Sequence, residues 1–81
     1  MRVKIRLFAS LREAASQEMV YLDLDEGATV ADAWASLCLY DQNLAACHGH
    51  VLMALNRRYV TGNERLSDGD ELALFPPVSG G

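Results

Sequence analysis

The residues with the greatest chemical scope are Pro76-Pro77-Val78-Ser79-Gly80-Gly81, at the end of the sequence. Two adjacent prolines lack amide donors and fix φ, so they end the preceding strand and stiffen the base of the tail. Gly80 and Gly81 have no Cβ and leave a terminal carboxylate sterically bare, open to an enzyme that closes around it. Such a carboxylate, with a pKa near about 3.5, is ionised at neutral pH and is a poor electrophile, so it must be activated before a nucleophile can attack. Fully extended, six residues reach about 20 Å, enough to enter another protein's active site while the rest of the chain stays outside. The pattern predicts a folded domain over residues 1–75 that presents an extended tail over 76–81.

A second cluster, Cys47-His48-Gly49-His50, could suggest a metal or a reactive thiol. One Cys and two His with no C-x-x-C and no carboxylate at ligand spacing favour a surface loop. Two cysteines in all cannot ligate an iron–sulfur cluster that needs four, nor build a disulfide scaffold. Cys38 falls on a helical stripe and is expected as a small core hydrophobe. The chain has neither a Gly-rich phosphate loop nor a nucleophile elbow. No bound metal or cofactor is expected.

The 81 residues suit one small domain, which buries only about 60–65 % of its unfolded surface. A net charge of −4 argues against nucleic acid as a partner. Four of the seven basic residues, Arg2, Lys4, Arg6 and Arg12, lie in the first twelve positions, while the acids gather in turns. No apolar run nears the ~20 residues that span a bilayer, and Met1-Arg2-Val3-Lys4 begins a strand at once. A soluble cytoplasmic domain with no membrane partner is the expectation.

The elements that must position the tail are read from hydrophobic period. Val3, Ile5 and Leu7 alternate with Arg2, Lys4 and Arg6 as a strand with one buried face. Ser10 to Glu13 fits a capping box and predicts a short helical turn through Ala14 and Ala15. Val20, Leu22 and Leu24 mark a second strand. Thr29 caps the one long helix, with Asp32 near its positive end. Val30, Ala33, Trp34, Leu37 and Cys38 form its core-facing stripe, and Trp34 is expected as the core's largest anchor. Between Tyr40 and His50, Asp41 to Asn43 reads as a break and Leu44 to Ala46 as one more turn. Val51 to Asn56 reads as a central strand, Arg57 and Arg58 as a turn, and Tyr59 and Val60 as a short strand. The last strand runs from Glu71 to Phe75 after the Ser67-Asp68-Gly69-Asp70 turn. The order β-β-α-β-β-β leaves one sheet face uncovered. By alternation Phe8 and Phe75 both fall on that open side.

The run Leu66 to Gly81, with its Ser67-Asp68-Gly69-Asp70-Glu71 turn and Pro76-Pro77-Val78-Ser79-Gly80-Gly81 ending, is similar to the ending of one known family. Val3 to Glu13, Gly27-Ala28-Thr29-Val30 and Asn56 match it more loosely. On these residues the chain resembles the small, sulfur-carrying subunits of molybdopterin synthase. The resemblance implies an α+β, ubiquitin-like β-grasp fold: a mixed sheet of about five strands, one main helix on one face and a flexible Gly-Gly tail. In that fold the first and last strands pair in parallel, which would set Phe8 and Phe75 close to the base of the tail with Arg12 at the rim. It further implies that Gly81, next to Gly80, is adenylated by an E1-like activating enzyme that consumes ATP. A sulfur donor protein then converts it to a thiocarboxylate. The loaded tail gives sulfur to a cyclic pterin precursor inside the large subunit, forming a dithiolene in what is expected to be a heterotetramer. The acid–base residues would belong to the partners, and Phe8, Arg12, Phe75, Pro76, Pro77, Val78 and Ser79 would meet them. A carrier for thiamine thiazole or another sulfur pathway, a lysine-conjugating modifier and a pure interaction domain remain alternatives.

Overall fold

In the computed structural model, residues 1–47 and 51–76 are described. The first strand, β1 (Arg2–Leu7), buries Val3, Ile5 and Leu7 and turns Arg2, Lys4 and Arg6 to the other face. It pairs antiparallel with β2 (Met19–Asp23) and parallel with β5 (Glu71–Phe75), where Leu72 and Leu74 are fully buried. β3 (Leu52–Leu55) lies on the other side of β5, and β4 (Arg58–Val60) closes the edge, giving the order β2-β1-β5-β3-β4. The run read as a central strand is therefore interior, and β5 holds the centre. This five-stranded mixed sheet with its helix is the expected ubiquitin-like β-grasp.

The main helix, α2 (Val30–Tyr40), starts at a full capping box: the Asp32 amide donates to Thr29 Oγ1 and the Thr29 amide to Asp32 Oδ2. Val30, Ala33 and Leu37 are buried in the stripe, but Trp34 and Cys38 are only half-buried at its flank. This corrects the expectation that Trp34 anchors the core with Cys38 inside it. The centre is filled by aliphatic side chains instead, including Leu11 and Leu44 from two short helices that the sequence marks only as turns.

The first of these, α1 (Ala9–Ala15), does not use the predicted Ser10 capping box. Phe8 is its N-cap, with no side-chain cap, and Ser10 lies inside the first turn. The reason is the sheet: the Phe8 amide donates to the Leu74 carbonyl at 3.2 Å, extending the β1–β5 ladder one residue further. The Phe8 carbonyl is then free to accept from the amides of Leu11 and Arg12. The second, α3 (Gln42–Ala45), is capped by Asp41, whose carboxylate accepts from the Asn43 amide. His48, Gly49 and His50 lie outside the described residues.

Two turns hold the central strand in place. Asn56 and Arg57 join β3 to β4 with φ of 50° and 72°, the two positive values that a two-residue type I′ hairpin needs. Asn tolerates this region; a side chain such as that of Arg57 is disfavoured there by roughly 1–2 kcal/mol. The Asn56 side chain donates to Asp70 Oδ1 and accepts from the Glu71 amide, both at 3.0 Å. Asp70 also accepts from the Ser67 amide, closing the turn in which Gly69 takes φ 86°. Asn56 thus ties the hairpin to the start of β5, a role the sequence did not reveal.

Leu72→Ala is expected to cost about 2–5 kcal/mol, a large share of a small domain's stability. Trp34→Ala should cost less than Leu72→Ala despite the larger side chain. Urea unfolding of both variants checks this, and the reverse order would restore Trp34 as the core anchor.

Candidate functional site

The helices leave one sheet face open. Across its middle, Arg6, Ala73, Ala54 and Tyr59 stand in register on β1, β5, β3 and β4. The two alanines make a low floor, and larger side chains wall it in to form a shallow depression of about 250 Å³. At one end Phe8 and Phe75 stack with ring centroids 4.6 Å apart and planes 14° from parallel. Tyr59 leans toward Phe75 at 6.4 Å and is 72 % exposed.

The sequence predicts Phe8 and Phe75 as two exposed anchors at the ends of the first and last strands. They form instead a single stack, each ring half-buried by the other. The parallel register explains the meeting, since Leu7 pairs with Leu74 and the next residue on each strand points to the open face. Tyr59 is an additional member of the cluster. Its alternation with Val60, which packs on the core, was the signal that could have placed it outside.

Charge surrounds this aromatic floor. Glu71 lies between Lys4 at 3.9 Å and Arg6 at 3.8 Å, and the Arg6 guanidinium sits 5.8 Å from the centre of the Phe8 ring. Arg2 hydrogen-bonds Asp23 at 3.1 Å, and that bond, with the charge of Arg2, holds the Asp23 carboxyl below the usual carboxylate range. These pairs are partly or largely exposed, so they order the face more than they stabilise it. Arg12 is exposed on α1, one turn beyond Phe8. Pro76, half-buried, comes directly after Phe75, at the end of the central strand. Pro77, Val78, Ser79, Gly80 and Gly81 lie outside the described residues.

The cysteines do not compete as a site. Cys47 is half-buried against the core at the end of α3, not in an open loop, and its thiol donates to the Asn43 carbonyl. Burial, with smaller effects of Cys47 and Asp41, pushes the Cys38 thiol up, away from the reactive thiolate. Among the described residues, no three His, Cys, Asp or Glu side chains gather to hold a metal.

Comparison with known proteins gives the arrangement its context. The ThiS family matches residues 5–81. The chain belongs to the ThiS family. The molybdopterin synthase sulfur carrier subunit of Chlamydomonas reinhardtii is 36 % identical over 83 residues, covering both chains in full. The crystal structure of small archaeal modifier protein 1 of Haloferax volcanii matches with a TM-score of 0.89 at 37 % identity, again over all of both chains. A complex of subunits 1 and 2 of the molybdopterin-converting factor of Helicobacter pylori contains a chain that matches with a TM-score of 0.71 at 26 % identity, over all of both chains. The ThiS-family chain therefore has relatives named as molybdopterin synthase sulfur carrier subunits and as a small archaeal modifier protein.

The aromatic stack of this ThiS-family chain should be measurable as a coupling. Phe8→Ala and Phe75→Ala are each expected to destabilise the domain modestly, and the double variant by less than their sum. A coupling of about 0.5–1.5 kcal/mol is expected from a denaturation double-mutant cycle. Simple additivity would mean that the rings touch without supporting each other.

Proposed function

We propose that this chain is the sulfur carrier subunit of molybdopterin synthase. The observation that carries the reading is a full-length match to sulfur carrier subunits, in a chain whose central strand leads directly into Pro-Pro-Val-Ser-Gly-Gly. In this reading the Gly81 carboxylate attacks the α-phosphorus of ATP in an E1-like activating enzyme, and pyrophosphate leaves. Sulfide-level sulfur delivered by a donor protein attacks the acyl carbon, the C–O bond to AMP breaks, and a thiocarboxylate remains. That thioacid, an easily ionised nucleophile, enters the large subunit at high effective concentration; its sulfur attacks a carbon of the cyclic pterin precursor and expels an oxygen leaving group, and water then cleaves the acyl–sulfur bond, returning Gly81 to a carboxylate. A dithiolene has two sulfurs, so two loaded carriers serve each product.

The open face fits the other half of the task. Phe8, Tyr59 and Phe75 form an aromatic cluster at the root of the tail, of the kind that anchors interfaces. The activating enzyme and the large subunit would each cover this face while receiving Gly80 and Gly81, and Arg12 would add a contact from α1. Both partners then need the same surface, so loading and delivery alternate. Among the described residues no helix is long and apolar enough to cross a membrane, which is consistent with a carrier acting in the cytoplasm. The similarity to small archaeal modifier protein 1 favours a second reading, in which activated Gly81 is also passed to lysine amines.

Removing Gly81, or adding a residue after it, should abolish sulfur loading by the activating enzyme with almost no change in thermal midpoint. Loading of an extended, unprocessed chain would contradict the reading. Phe75→Ala should weaken binding to the large subunit by more than about 1 kcal/mol in calorimetric titration. The two partners should compete for one carrier, and a stable ternary complex would exclude a shared face.

A further inference from the structure

One arginine at the rim of the open face is held in a backbone conformation that suits glycine. Arg57 has φ 72° at the second position of the β3–β4 turn. Type I′ turns take Asn-Gly by preference; Asn56 obeys that rule and Arg57 breaks it. Nothing local offsets the strain. Among the described residues Arg57 has no ion-pair partner, its side chain makes no hydrogen bond, and it is exposed. Two uncharged residues, Ala9 and Ser16, share the left-handed region, but they bracket α1 and do not line the open face. Arg57 does line it, beside Phe75, Tyr59 and Arg6.

The electrostatics of that rim are one-sided. Among the described residues Glu71 is the one acid lining the depression, and it is already shared between Lys4 and Arg6. Arg57 therefore adds positive charge that no described acid compensates, at the edge of an aromatic floor, in a chain whose net charge is −4. A guanidinium presents a planar fork that matches a carboxylate, and covering the floor would remove water from around the contact.

We propose that Arg57 is a specificity-determining residue of the open face, placed by its strained turn to take an aspartate or glutamate carboxylate of the docked protein. The inference rests on the reading of this face as the docking surface and adds the chemistry that the docked protein must offer: an apolar patch flanked by an acid. Glycine at this position would relax the turn and lose the contact, so stability and recognition pull in opposite directions at one residue.

The test uses the full chain and the large subunit of molybdopterin synthase, with thermal melts and calorimetric titrations at two salt concentrations. Arg57→Gly is expected to melt a few degrees higher yet bind about three- to fivefold more weakly, with a shallower salt dependence. Arg57→Lys keeps the charge without the fork and should show the parental melt with intermediate affinity. Phe75→Ala serves as the control for the face itself. If Phe75→Ala weakens binding and Arg57→Gly does not, the face stands and the inference about Arg57 falls. Lower melting of Arg57→Gly would also overturn it, by removing the strain. Unchanged affinity in both variants would overturn the docking reading together with the inference.

Discussion

The parallel pairing of β1 with β5 is the constraint on which the rest of the molecule depends. It joins the first strand to the last described one and places five fully or almost fully buried side chains, Val3, Ile5, Leu7, Leu72 and Leu74, against the helices. Because side chains alternate across a strand, the same register turns Phe75 to the opposite face, where it meets Phe8. Core and candidate docking surface are thus two sides of one hydrogen-bonded ladder. A register slip by one residue would exchange them, burying charge and exposing the core. The Asn56–Asp70–Glu71 hydrogen bonds fix where β5 begins, and so guard that register from a distance along the chain.

Period and turn chemistry made much of this legible in the sequence. The Arg2 to Leu7 alternation, the Thr29–Asp32 cap and the Gly69 turn each depend on neighbours a few residues away, and each appears as read. What was hidden depended on distant partners. Ser10 to Glu13 looked like a capping box, but the Leu74 carbonyl draws the Phe8 amide into the sheet and moves the helix start. Trp34 looked like an anchor by size, but Leu11 and Leu44 come from elements too short to carry a periodic signal. Phe8 and Phe75 were legible as neighbours on one face, because the pairing of first and last strands came with the resemblance. Their stacking, and the strained backbone of Arg57 beside them, are matters of three-dimensional geometry.

In the proposed reading, separating the folded face from the Gly-Gly ending has a physical rationale. A carboxyl group that is to be activated in one protein and consumed in another would gain from a segment that either active site could enclose. Recognition then belongs to the folded surface behind it, which can be stable and specific without any catalytic side chains of its own.

The central claim is that the Gly81 carboxyl carries sulfur. The most direct measurement is the intact mass of the protein isolated from its native cells after loss of the large subunit, when a loaded carrier has nowhere to deliver its sulfur. The account predicts a species heavier by the exchange of one oxygen for sulfur, with the increment confined to the C-terminal Gly80-Gly81 fragment. Unmodified protein alone, under conditions in which the activating enzyme and its sulfur donor are present, would contradict it.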